Sequence, residues 1–126
     1  MTGAVTLAVC AIFRNEAPYL AEWLAFHRLV GVERFYLYDN RSTDAWLAAI
    51  EASGASDVVT VTPWPFEPGQ GPAYKHCLQA FGSRAEWIAF IDCDEFLFTT
   101  DGGDLRHALR DYTDQPALAV NWLEYG

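Results

Sequence analysis

Two aspartates one residue apart, Asp92 and Asp94, directly follow the apolar run Trp87–Ile91. Carboxylates placed together at the end of a buried strand repel each other, which costs stability unless a cation or hydrogen bonds offset it. A hard divalent ion with oxygen ligands, Mn2+ or Mg2+, is the natural compensation, and it keeps open positions for phosphate oxygens. The spacing alone has no force. With 17 acidic residues in 126 positions, a pair at i,i+2 arises roughly twice by chance. Location carries the argument, and one alternative stays open: an aspartate capping a turn, with its neighbours solvated. Cys93, between the two, is expected to turn inward by strand alternation. It has no base partner to make it a nucleophile.

The elements that must position this pair alternate between strand and helix. Val5–Phe13 is a nearly continuous apolar run rich in β-formers, suited to a strand buried on both faces of a parallel sheet. Pro18 suits the first turn of a helix whose apolar face is Leu20, Trp23, Leu24, His27 and Val30, with Gly31 as its stop. Arg34–Tyr38 reads as a second strand, and Ser42, Thr43 or Asp44 is expected to cap a helix carrying Trp46, Leu47 and Ile50. Asp57–Thr62 is a β-branched third strand. Residues Pro63–Pro72 hold four of the six prolines and read as a loop, followed by a helix over about Ala73–Phe81. Trp87–Ile91 is a fourth strand, Leu105, Leu109 and Tyr112 a last helical stripe, and Ala117–Trp122 a final strand. This order predicts an α/β fold: a Rossmann-like, mostly parallel sheet flanked by helices, joined by right-handed crossovers.

In such sheets the ligand crevice lies beyond the carboxyl ends of the strands. Three polar clusters fall at those ends in turn: Arg14-Asn15-Glu16, Asp39-Asn40 and Asp92-Cys93-Asp94-Glu95. Trp23, Tyr36, Trp46, Trp87 and Phe90 are expected in the core, and His27 and His76 in helix packing. Trp64 and Phe66 either line the pocket or pack over the sheet edge. Lys75, the only lysine, sits on a helix where a solvated side chain is the ordinary outcome.

Composition excludes several classes. Hydrophobic residues make up 52% and charged residues 20% of the chain, the profile of a folded globular domain. Eight basic against 17 acidic residues leave a net charge of −9, which argues against a nucleic-acid partner, since phosphate neutralisation needs clustered Lys and Arg. An acidic domain that holds a polyanion needs a metal ion or a local polar pocket. No apolar stretch approaches the ~20 residues of a membrane span. Three cysteines without a CxxC pair read as reduced buried thiols. With no visible signal peptide, the chain reads as cytoplasmic, membrane association being left to a longer parent protein.

Phe13-Arg14-Asn15-Glu16, Tyr19-Leu20, Glu22-Trp23, His27, Gly31 and Tyr38-Asp39-Asn40-x-Ser42-x-Asp44 resemble the amino-terminal pattern of glycosyltransferase family 2 and the related family 92. Gln70, Ala73-Tyr74, His76-Cys77 and Trp87-Ile88-x-Phe90-Ile91-Asp92-x-Asp94-Glu95-Phe96 continue it in the same order. The resemblance implies a GT-A fold, with residues 1–126 forming the nucleotide-diphospho-sugar-binding part and the acceptor half missing. It implies that Asp94 coordinates Mn2+ or Mg2+ bridging two phosphates, while Asp92 shares the metal or contacts the ribose. Phe13, Asn15, Glu16, Asp39 and Gln70 would complete the nucleotide-sugar site. The donor would be a nucleotide-diphosphate sugar, a UDP-sugar first, and the acceptor a saccharide or lipid-linked molecule. Transfer would invert the anomeric centre, with the carboxylate base in the missing half, so this chain would turn over slowly or not at all. Helix capping by Asn15 and Glu16, and a turn begun at Asp39-Asn40, remain the plain structural alternatives. Two other classes stand beside a transferase: a nucleotidyltransferase-like enzyme, disfavoured because Phe13–Glu16 has no glycine, and a non-catalytic module that keeps the fold.

Overall fold

The computed structural model describes residues 4–117. Four parallel strands form one sheet: β1 (Val5–Phe13), β2 (Arg34–Asp39), β3 (Val59–Pro63) and β4 (Ala85–Phe90), in the order β3-β2-β1-β4. Helices α1 (Ala17–Leu29), α2 (Trp46–Ser53) and α3 (Gln70–Phe81) connect them, and the short α4 (Leu105–Leu109) follows β4. The Rossmann-like α/β architecture expected from the alternation is therefore the one observed.

Alternation along β1 explains both layers. Leu7, Val9, Ala11 and Phe13 face α1 and α2, where they join Leu20, Trp23, Leu24, Phe35, Leu37 and Ile50. Ala8 and Cys10 face the other way, against Tyr36, Tyr38, Ala73 and Cys77. Small residues on this second face leave room for α3 and for two tyrosines from β2. Tyr36 stacks on Phe81 at 4.3 Å, and the Tyr38 hydroxyl bonds His76 Nδ1 at 2.7 Å. All three cysteines are buried and free. Helix α1 is fastened to the sheet by the fully buried Trp23, and emptying that site alone would cost about 3–5 kcal/mol.

Several boundaries differ from the sequence expectation. Helix α3 begins at Gln70, inside the proline-rich segment, because Pro72 sits in the first turn, where its missing N–H costs nothing. Strand β3 begins at Val59 rather than Asp57, after a 3-10 turn closed by Val58 N–H donating to Ala55 O. Strand β4 runs from Ala85, which pairs with Val5, and ends at Phe90, although Ile91 N–H still donates to Cys10 O. Tyr112 falls in a 3-10 turn rather than in α4. The expected strand Ala117–Trp122 lies outside the described residues except for Ala117, which is not in a strand.

The largest correction concerns Ser42, Thr43 and Asp44. None caps α2, whose start at Ala45 has no side-chain cap. Ser42 Oγ accepts from Asn15 N–H at 2.9 Å, Thr43 N–H donates to Asn15 Oδ1 at 2.8 Å, and Asp44 Oδ2 accepts from Ala17 N–H at 2.9 Å. They brace the β1–α1 turn and the start of α1 instead. Asn15 there has a φ of 56°, which an asparagine tolerates better than most residues.

Candidate functional site

Strand β2 follows β1 on one side of the sheet and β4 lies on the other, so the strand order reverses at β1. At that switch point, beyond the carboxyl ends of β1 and β4, a cleft of about 370 Å³ opens. Of the residues singled out from sequence, Phe13, Glu16, Gln70, Asp92 and Asp94 line it. Phe13 belongs to its floor, with the ring turned edge-on against Trp46. Asn15 and Asp39 are not among the lining residues. Asn15 is engaged by Thr43, and Asp39 Oδ1 accepts from Ser42 N–H at 2.9 Å, closing the loop after β2.

Arg14, Asn40 and Gly69 also line the cleft. Asn40 is nearly buried, and its Nδ2 donates to Trp64 O at 2.7 Å and Phe66 O at 3.1 Å. Those bonds pin the loop that delivers Gln70. A Cβ on Gly69 would lie 2.9 Å from Ile12 Cδ1 and 3.0 Å from Phe66 O, so this close approach needs glycine. Trp64 packs on Tyr38 and His76 and donates to Gly69 O, which places it over the sheet edge; Phe66 is half exposed. Arg14 and Asn40 belong to the rim clusters visible in the sequence, whereas Gly69 carried no signal before the loop was folded.

Among the described residues, Glu16, Asp92 and Asp94 form no ion pair. Burial, then the charges of Asp94, Asp44 and Asp92, raise Glu16 above the usual carboxylate range. Burial, then Glu95 and Asp94, raise Asp92, with a hydrogen bond from Gln70 opposing. Gln70 Nε2 donates to Asp92 Oδ1 at 3.1 Å and to Tyr74 Oη at 3.0 Å. Burial and the Asp92 charge push the Tyr74 phenol up to about 12, so it stays protonated. Glu95 Oε1 accepts from Asp92 N–H at 2.8 Å, tightening the turn that carries the aspartates. Cys93 is buried in that turn, as expected, but beyond the end of β4. Burial and the surrounding carboxylates push its thiol far up, which makes it inert.

No three His, Cys, Asp or Glu side chains among the described residues converge into a self-sufficient metal site. Two aspartates with hard oxygen donors, crowded by a third carboxylate, fit instead a cation that takes its remaining ligands from a bound phosphate and water.

A family model for glycosyltransferase family 92 matches residues 4–126. The chain belongs to glycosyltransferase family 92. It is 34% identical over 116 residues to a family 92 protein of Oryza sativa subsp. japonica, covering 91% of this chain and 20% of the relative. It is 36% identical over 93 residues to one from Arabidopsis thaliana, covering 73% and 16%. The chain thus spans between about one sixth and one fifth of the length of these curated relatives. Of the two families it resembles in sequence, family 92 is the one supported. The fold is also that of a mannosyltransferase from Pyrobaculum calidifontis, solved in complex with GDP-Man and Mn2+ (TM-score 0.60, 20% identity, 79% of this chain and 30% of that one). S. aureus TarS 1-349 shares it as well (TM-score 0.57, 19% identity, 87% and 32%). These are glycosyltransferase-type, GT-A-like folds. No helix among the described residues is long and apolar enough to cross a membrane.

Proposed function

We propose that this family 92 chain forms the donor-binding part of a glycosyltransferase that moves a sugar from a nucleoside diphosphate to an acceptor hydroxyl. The observation that carries the reading is a cleft at the strand-order reversal where Glu16, Asp92 and Asp94 crowd together with no ion pair among the described residues. Asp94 and Asp92 would hold Mn2+ or Mg2+, and the ion would supply Lewis-acid stabilisation of the departing diphosphate. The Mn2+ and GDP-Man bound by the archaeal neighbour support a metal-assisted nucleotide-sugar site of this kind.

The chain's own residues have separable tasks. Gln70 orients Asp92 through its Nε2–H donor and leaves the outer face of that carboxylate toward the cleft. Arg14, exposed on the rim, brings positive charge to an otherwise acidic mouth. The amino end of α3, which has no side-chain cap at Gly69, adds N–H groups that favour an anion. Asn15 and Asp39 shape the nucleoside side by fixing the two loops that meet there. Inversion, with a base outside this donor-binding part, completes the reading.

Calorimetric titration of UDP and GDP, with and without Mn2+, tests it. Metal-dependent binding that disappears in Asp94→Ala is expected, and the preferred nucleotide identifies the donor base. Identical nucleotide affinity with metal, without metal and in the variant would refute the metal role. Efficient sugar transfer by the 126 residues alone would refute the assignment of a donor-binding part only.

A further inference from the structure

The segment that carries the two aspartates has no regular structure after β4, yet three successive residues of it, Glu95–Leu97, are held by one helix, two through the backbone and one through its ring. Trp23 Nε1–H donates to Glu95 O at 2.8 Å. The Phe96 ring stacks on His27 at 5.7 Å and 13°, and meets Phe26 edge-on at 5.1 Å. His27 Nε2 then accepts from Leu97 N–H at 3.1 Å. Because that nitrogen accepts, the imidazole proton must reside on Nδ1, which donates to Trp23 O at 2.8 Å. His27 is fully buried, and burial holds it in the neutral form this arrangement needs.

We infer that His27 is a positioning residue for the metal-binding turn, acting through its Nε2 acceptor on Leu97 and thereby on the backbone that places Asp92 and Asp94. The linkage is short: Glu95, held by Trp23 through its carbonyl, uses its own carboxylate to grip Asp92 N–H. An apolar residue at position 27 would fill the same space but leave the partly buried Leu97 amide without this acceptor. The two imidazole bonds are not equivalent. Trp23 O also lies in the hydrogen-bond ladder of α1, so the bond from Nδ1 is dispensable, whereas Leu97 N–H has His27 as its acceptor.

This rests on the metal reading above, and two measurements keep the failures apart. His27→Gln can still present an oxygen to Leu97, whereas His27→Asn is too short and retains only a donor toward Trp23. Amide hydrogen exchange of residues 92–97 is expected to quicken about tenfold in His27→Asn and to stay within about threefold of the parent in His27→Gln. Mn2+ affinity in the presence of the preferred nucleotide should follow the same pattern, with Trp23→Phe giving an intermediate loss. Equal exchange and equal Mn2+ affinity in the Asn and Gln variants would overturn the inference. If the parent binds no Mn2+, the metal reading falls, while the exchange difference still decides the role of His27. Should His27→Asn not fold, His27→Leu, which fills the space without an acceptor, tests the same bond: exchange at 92–97 unchanged from the parent overturns the inference.

Discussion

Carboxylates occur at both ends of the sheet, and Glu33 and Asp104 at one end contrast with Glu16, Asp92 and Asp94 at the other, where Glu67 at the cleft's edge is paired with Arg41 at 2.7 Å. At the amino-terminal end, Glu33 Oε1 accepts from Thr6 and Leu7 N–H, and Arg106 reaches both Glu33 and Asp104. Asp104 accepts a bidentate grip from Arg106 and caps α4, and that guanidinium draws it down to about 2. At the carboxyl-terminal end, Glu16, Asp92 and Asp94 have no ion pair among the described residues, and two of the three are raised. Paired carboxylates hold the fold together; unpaired ones store a cost that a cationic ligand relieves. Crowding of this kind is what the proposed metal site rests on. The net charge of −9 is therefore not a uniform coat.

The largest test removes the unpaired end. Asp94→Ala should weaken Mn2+-dependent nucleotide binding by about 100-fold or more, beyond what loss of a supporting partner costs, as read by calorimetry. Next is the paired end. Gly31 has a φ of 114°, and an added Cβ would collide with the Asp104 carboxylate, so Gly31→Ala should cost about 2 kcal/mol in urea denaturation. Asp104→Ala deletes the α4 cap and should cost about 1 kcal/mol at pH 7.

The pH dependence separates the two ends by sign. Asp104 is depressed from 3.8 to about 2, so the unfolded chain takes up its proton first. Its contribution is complete above that ordinary value and is lost as pH falls through about 2. Asp104→Asn, which keeps the cap oxygen, should flatten the melting curve's acid dependence in that window. Smallest is a gain. Asp92→Asn removes a crowded charge and should raise the metal-free melting temperature by about 1–3 °C at pH 7. Since Asp92 is raised, that gain should vanish as pH falls below 3.8, where both states of the parent are protonated.

Much of this was readable before folding. Strand β1 was evident to the residue, because an apolar run broken only by Thr6 stops at the polar Arg14. The placement of Arg14–Glu16 and Asp92–Asp94 on one rim followed from the strand–helix alternation, which makes the strands parallel. The start of α3 was not, since proline clusters signal loops, and only the local turn decides whether Pro72 sits where its N–H is dispensable. The roles of Ser42 and Asp44 were also hidden. Their composition fits a local cap, but their partners lie 27 residues away on the β1–α1 turn. His27 was correctly placed in a helix interface, yet its acceptor role toward Leu97, 70 residues on, is a tertiary fact.

Sequence by itself determined the layers and the chemistry available at their edge, because side-chain periodicity dictates which face is buried and strand ends collect polar residues. The order of its motifs narrowed the family to two, of which the family-model match supports family 92. Tertiary structure decided which carboxylates are neutralised and which are left crowded. Charge pairing depends on distances between chain-remote groups, and those distances exist only once α1, α4 and the turn after β4 have packed.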